Sequence, residues 1–271
     1  MKVGLQLYSI REALASNVPG TLKAVKEMGY DYVELAGGRY GLTGKEMKKE
    51  IENAGLTCVS IHSSPSLYLQ DREDVLSYMK DMGVSYTVIP CPPAQLKSYT
   101  ENWDETLRVY EEMGHFFKEN GLQLLYHNHD YDFKEIDGKV IIDTLLDKLK
   151  EVVMPQPDLA WVSYAGTRPS DFLSRHKDRV PVVHIKDYIC ENLPKKPIWQ
   201  LLAEGHPRPE KKSLAGFDYA PIGQGVEIWD EALKACKEAG AEYLIVEQDS
   251  SPDPMRTAAE SRAFLKNTFN L

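Results

Sequence analysis

The sequence has few of the residues that build extracellular or nucleic-acid-binding proteins. Its four cysteines, Cys58, Cys91, Cys190 and Cys236, are widely spaced and form no Cys-x-x-Cys. That offers no disulfide framework, and reduced, partly buried thiols of an intracellular protein are expected. Basic residues are in deficit, 32 Lys and Arg against 41 Asp and Glu, a net charge of −9. Binding to a phosphate backbone relies on clustered Lys and Arg, so nucleic acid is not an expected partner. A small neutral polyol is not excluded by that balance. No apolar run is long enough to span a membrane. Met1-Lys2-Val3-Gly4-Leu5 reads directly as a strand without a signal-peptide pattern, and a cytoplasmic location is expected. Nothing like Gly-x-Gly-x-x-Gly follows that first strand, which lowers the case for an open dinucleotide-binding sheet. No linker-like composition divides the chain, so one domain over 1–271 is expected.

What is present is a recurring punctuation. A helical stretch ends in charged residues, a glycine follows, and an apolar strand begins at once. Gly29 precedes Tyr30–Leu35, Gly55 precedes Leu56–His62, and Gly83 precedes Val84–Pro90. Gly121 precedes the run Leu124-Leu125-Tyr126-His127-Asn128-His129, and Gly240 precedes Ala241–Glu247. Each glycine is placed to take the left-handed conformation that ends a helix. Val3–Tyr8 and Val180–Asp187 add two strands, and a weaker one is expected near Pro157–Val162. Helices are expected between them, one over Asn102–Asn120, one capped by Thr43 and one capped by Asp71. Alternation of strand and helix implies a parallel sheet, and eight repeats at this length imply an α/β fold, the (β/α)8 or TIM barrel. The stretch 188–218 lacks a clear period and reads as a long loop, a candidate lid, after strand seven.

In such a barrel the site lies at the carboxyl ends of the strands. Those ends here supply Glu34, His62, His127, Asp158, His184 and Glu247. Side chains alternate along a strand, so Leu125, His127 and His129 share a face and Asn128 takes the other; His184 and Lys186 likewise share one. Each residue also has a plainer reading. Glu34 could cap a helix or pair with Arg39, His62 could be a hydrogen-bonded rim histidine, and Asp158 could be a turn residue. Glu247 follows Leu244-Ile245-Val246, where an unpaired buried carboxylate would be costly and a metal would relieve the cost. Imidazole and carboxylate together suit Zn, Mn, Fe or Co. His115 and His206 read as surface histidines.

These residues, in order with Gly4–Ser9, Asp158-Leu159-Ala160-Trp161, His184-Ile185-Lys186-Asp187 and Gly223-Gln224-Gly225-Val226, resemble the xylose-isomerase-like barrel family of sugar phosphate isomerases and epimerases. That family includes ketose 3-epimerases and inosose dehydratase, with endonuclease IV a distant relative. The resemblance implies a divalent metal (Mn, Zn, Co, Fe or Mg) on His127, Asp158, His184 and Glu247. Ketose epimerases carry glutamate where this chain has His127, and that glutamate moves a proton opposite the one on strand eight. A histidine holding a metal through its free nitrogen cannot be the same base. The expected activity is isomerisation or epimerisation of a sugar, phosphorylated or not, through an enediolate. Glu247 is the expected proton carrier, His62, Glu34 or His129 its partner, and Lys186 a support for an oxygen. Gln6, Tyr8, Trp161 and Gln224 are expected to shape the pocket. The alternatives are a keto-sugar dehydratase or keto-glycoside lyase, an endonuclease IV-like nuclease and a non-catalytic sugar-binding barrel. A homo-oligomer is compatible with all of them. Lys195, Lys196, Arg208, Lys211 and Lys212 are candidates to meet a substrate phosphate, though solvated loop charge is the commoner explanation.

Overall fold

The computed structural model of the chain describes residues 1–92, 102–206 and 216–271. Eight parallel strands form the sheet. They are β1 (Lys2–Gln6), β2 (Tyr32–Leu35), β3 (Thr57–His62), β4 (Tyr86–Ile89), β5 (Gln123–His127), β6 (Val153–Gln156), β7 (Val182–Ile185) and β8 (Tyr243–Val246). Each pairs with its neighbour in chain order from β1 to β6, and β1 pairs with β8, which pairs with β7. The seam between β6 and β7 closes through an isolated bridge, Asp158 with His184, and a bond from His184 N to Pro157 O of 2.8 Å. The result is a nearly closed eight-stranded barrel wrapped by helices.

The punctuating glycines act as expected. Gly29, Gly55, Gly83, Gly121 and Gly240 all have positive φ. Thr43 caps the helix Gly44–Asn53 in a capping box with Glu46. Asp71 leaves helical geometry inside Pro65–Met82, and its carboxylate accepts from Asp74 N, so the last part of that helix starts there. The helix expected over Asn102–Asn120 spans Trp103–Glu119, with Leu107, Tyr110 and Phe117 buried. No helix among the described residues is long and apolar enough to cross a membrane.

Two expectations need correction. The sixth strand is Val153–Gln156, and Leu159–Tyr164 is a helix capped by Asp158, whose carboxylate accepts from Trp161 N. All six residues of that helix are buried, so no polar face gave it a period. The stretch after β7 is not a plain loop. Asp187–Cys190 pairs antiparallel with Phe217–Ala220, and a helix covers Ile198–Ala203.

The barrel interior is layered by the two-residue period of its strands. Val59, Val88, Leu125, Val182 and Ile245 form an apolar layer with Tyr32 and Met154 packed against it. Gly4 leaves the room this layer needs, since a Cβ there would stand 2.8 Å from Ile245 Cδ1. On five of the strands the side chain two residues further along is polar. Leu125 leads to His127, Val182 to His184, Ile245 to Glu247, Tyr32 to Glu34 and Met154 to Gln156. A third step brings His129, Lys186, Asp249, Ala36 and Asp158.

His62 reaches the interior by another route. Strict alternation from inward-facing Val59 would turn it outward. Instead β3 pairs Cys58 with Val33 but Ser60 with Glu34, a register shift of the bulge type. The extra residue re-aims Ser60 and His62 toward the barrel axis.

Candidate active site

Four of the expected residues converge. His127, Asp158, His184 and Glu247 offer donor atoms that all lie within 4.8 Å of one another, and all four residues are buried. His62, His127 and His184 form a second such group. The rings of His127 and His184 stand 4.5 Å apart, and those of His62 and His184 stack at 5.3 Å.

The donor set suits a divalent ion by type, mixing imidazole nitrogen and carboxylate oxygen. It also has unspent capacity. His127 Nδ1 has no hydrogen-bond partner among the described residues. Asp158 Oδ2 stands 3.8 Å from His127 Nε2 and is met by the Lys186 ammonium at 2.9 Å. The backbone of Asp158 is fixed from β5, because Asn128 Oδ1 accepts from Asp158 N at 3.1 Å. That is the use of the opposite-facing Asn128.

Glu34 lies beneath, fully buried. It neither caps a helix nor meets Arg39, which pairs with Asp74. Its Oε1 accepts from Gln6 Nε2 at 2.7 Å and meets His184 Nε2 at 2.5 Å and His62 Nε2 at 2.9 Å. Its Oε2 accepts from Gln156 Nε2 at 2.7 Å and from the Ser60 hydroxyl. Burial opposes its charge, but His62 and His184 outweigh that and hold the carboxyl well below its ordinary range. The same carboxylates act on His184. Burial lowers its pKa, Glu34 and Glu247 raise it, and the net is a rise to about 10. His184 Nδ1 meets Glu247 Oε2 at 2.8 Å. His127 goes the other way, driven well below 6.5 by burial and by His184.

Lys186 is 1 % exposed and surrounded by carboxylates. Its Nζ is 2.9 Å from Asp158 Oδ2, 3.2 Å from Glu247 Oε2 and 3.1 Å from both oxygens of Asp249. Burial alone would discharge it; Asp158, Glu247 and Asp249 keep its pKa well above the ordinary value.

A cavity of about 360 Å³ opens above the cluster, lined by Tyr8, Ala36, His62, Pro90, Cys91, His127, His129, Glu247 and Asp249. This is within the size range of small-molecule sites. His129 stacks on Tyr131, whose hydroxyl is 3.2 Å from its Nδ1. Burial, then Lys186, lowers its pKa to about 4, leaving a neutral imidazole at the cavity wall.

The remaining expected residues are placed unevenly. Tyr8 lines the cavity, 41 % exposed, with the Arg11 guanidinium over its ring. Gln6 is buried beneath as a partner of Glu34. Trp161 is buried beside Lys186, its ring 5.1 Å from Nζ. Gln224 is exposed and donates to Glu260, outside the cavity lining. Its loop closes around Asp187 instead. The amides of Gly223, Gly225, Val226 and Glu227 and Trp229 Nε1 all donate to that buried carboxylate. Lys196 pairs with Glu204, and Arg208, Lys211 and Lys212 lie outside the described residues. The sequence pattern did not single out Asp249, Gln156 and Ser60. Asp249 stands two residues after Glu247, the same spacing that links His127 and His129, and that spacing was its signal.

Comparison with known proteins agrees with this architecture. The family described as xylose isomerase-like TIM barrel matches residues 22–268. An inosose dehydratase of Geobacillus thermodenitrificans is 23% identical over 269 residues, covering 87% of this chain and 84% of that protein. One of Lacticaseibacillus casei is 22% identical over 183 residues, covering 63% of this chain, so the match spans little more than half (56%) of that relative. In overall fold, a sugar phosphate isomerase/epimerase from Parabacteroides distasonis superposes with a TM-score of 0.77 at 19% identity, covering 98% of this chain and 94% of that one.

Proposed function

The chain belongs to the xylose isomerase-like TIM barrel family, and from that premise we propose that it is a metal-assisted isomerase or epimerase of a keto-sugar. The observation that carries this reading is the convergence of His127, Asp158, His184 and Glu247 beneath a cavity walled by imidazoles. A divalent ion on those four side chains would supply Lewis-acid stabilisation to substrate oxygen as charge develops on it.

The chain's own residues supply the proton chemistry. Glu247 reaches the cavity and its pKa lies well below 4.5, because Lys186 and His184 outweigh its burial. It is therefore ionised and takes the proton from the carbon next to the carbonyl, leaving an enediolate. Lys186 steadies an enediolate oxygen. His62 stands on the cavity wall with Glu34 against its Nε2 and returns a proton to another carbon or face, while His129, held neutral, only walls the cavity. Tyr8 covers the mouth. Glu34 touches no substrate in this reading; it orients His62 and His184.

A second reading, dehydration, is favoured by two observations. The sequence relatives are inosose dehydratases. His127 also stands where the two-glutamate exchange of ketose epimerases would need a carboxylate. In that reading the enediolate expels a β-hydroxyl, which takes a proton from His62 and leaves as water. Loss of a glycosyl substituent would be the lyase form of the same step.

The test is a screen of keto-sugars and keto-polyols in D2O with added Mn²⁺, followed by NMR. Solvent deuterium on a carbon of an isomeric product is the expected result. A product short of one water selects dehydration instead. Glu247→Gln is expected to lower either turnover by roughly 10²–10⁴-fold. Absence of both exchange and product across the screen, with metal bound, would overturn the proposal.

A further inference from the structure

Lys186 and a divalent ion would compete for the same oxygens. Two of the four candidate ligands already neutralise the ammonium, Asp158 Oδ2 at 2.9 Å and Glu247 Oε2 at 3.2 Å. An ion bound to those oxygens at ordinary coordination distances, about 2.0–2.2 Å, would leave Nζ within roughly 5 Å of a second positive centre in a buried, weakly screened place. The two cations cannot share these carboxylates without strong repulsion.

The structure also provides somewhere for the ammonium to go. Asp249 offers both oxygens at 3.1 Å, and its side chain is 27 % exposed, unlike those of Asp158 and Glu247. Asp249 is not in the candidate ligand set, and it lines the cavity. The Lys186 stem is long, and aromatic rings flank the ammonium, Trp161 at 5.1 Å and Tyr219 at 5.8 Å. A small swing would move Nζ off Asp158 and Glu247 and onto Asp249 alone.

We propose that Lys186 is a resident cation which holds the ligand set together in the metal-free protein and is handed to Asp249 when a divalent ion binds. Metal loading then delivers the ammonium to the cavity edge, where it faces substrate. This rests on the metal-dependent reading given above. It goes beyond that reading by making Lys186 and Asp249 a coupled pair that sets metal affinity.

Mn²⁺ affinity of the full chain, measured by equilibrium dialysis, tests it without reference to turnover. Lys186→Met is expected to bind Mn²⁺ roughly tenfold or more tighter than the parent, while Lys186→Arg, which keeps the charge, stays close to the parent. Asp249→Asn removes the receiving carboxylate. It is expected to weaken Mn²⁺ binding clearly more when Lys186 is present than in the Lys186→Met background. If the Lys186→Met chain folds only with metal added, Lys186→Gln, a second neutral side chain, takes its place in both comparisons.

Equal or weaker binding by a folded Lys186→Met, or an Asp249→Asn effect of the same size in both backgrounds, overturns this inference alone. Binding by no variant overturns the metal reading with it. Binding by Lys186→Met and not by the parent supports the inference in its strongest form.

Discussion

Glu34 gathers Gln6, Ser60, Gln156, His62 and His184 around one fully buried carboxylate. A carboxylate on one nitrogen of an imidazole fixes the tautomer and raises the basicity of the other nitrogen. Glu34 on His184 Nε2 therefore leaves Nδ1, now facing Glu247, as the nitrogen for a metal. Glu34→Gln keeps the shape and removes the charge. It is expected to weaken divalent-metal affinity by roughly 10–100-fold, read by calorimetric titration; an unchanged affinity would show that Glu34 serves packing alone. At this scale the sequence was legible wherever the two-residue period ran unbroken, as in Leu125, His127, His129 and in Val182, His184, Lys186. His62 was legible only as a strand end. The bulge that turns it inward depends on how β3 meets β2, and no local pattern in β3 encodes that. Gln156 and Ser60 were illegible for a related reason: an amide and a hydroxyl carry no functional signal until the carboxylate between them is placed.

The loop 221–229 illustrates what an element can conceal. Its Gly-x-Gly suggested a pocket wall, and the structure uses it to enclose Asp187. A Cβ on Gly225 would stand 2.0 Å from Asp187 Oδ1, so glycine there is a condition of that closure. Pulling the loop inward also carries Glu227 into the fold, where its Oε1 has no hydrogen-bond partner among the described residues. Burial raises its pKa well above 4.5, and Asp187 adds to that. A carboxyl with a raised folded pKa binds its proton more tightly folded than unfolded. Its contribution to stability is complete below about 4.5 and is lost as pH climbs toward the folded value. Glu227→Gln, neutral at every pH, escapes that loss. Thermal melts across pH should therefore show the variant gaining on the parent from pH 4.5 upward, at no more than about 1.4 kcal/mol per pH unit. A gain that grows toward acid pH would contradict the burial argument. The helix Leu159–Tyr164 reads as a strand in the sequence for a different reason. Six buried residues show neither a period of two nor one of 3.6, and only the cap at Asp158 distinguishes them.

The molecule as a whole joins its metal question to its closure. Five glycine stops made the barrel legible, but the order of strands left open how the ring is sealed. β6 pairs with β5 and β7 pairs with β8, while β6 and β7 meet at the Asp158–His184 bridge and the His184 N to Pro157 O bond. The residues at that seam are two of the four candidate ligands. An ion bound to both would staple the weakest junction of the ring, so binding and global stability should be linked. At 100 times its dissociation constant a ligand stabilises the folded state by about 2.7 kcal/mol. For a chain of this size that is a rise in melting temperature of roughly 5–10 °C. Mn²⁺ or Zn²⁺ is expected to produce such a rise, and EDTA to reverse it. Asp158→Asn retains an oxygen to cap the helix but loses the charged ligand, and it should lose most of the metal-induced rise. A rise equally large in Asp158→Asn would place the ion away from the seam, and no rise in the parent under saturating metal would separate the cluster from barrel closure altogether.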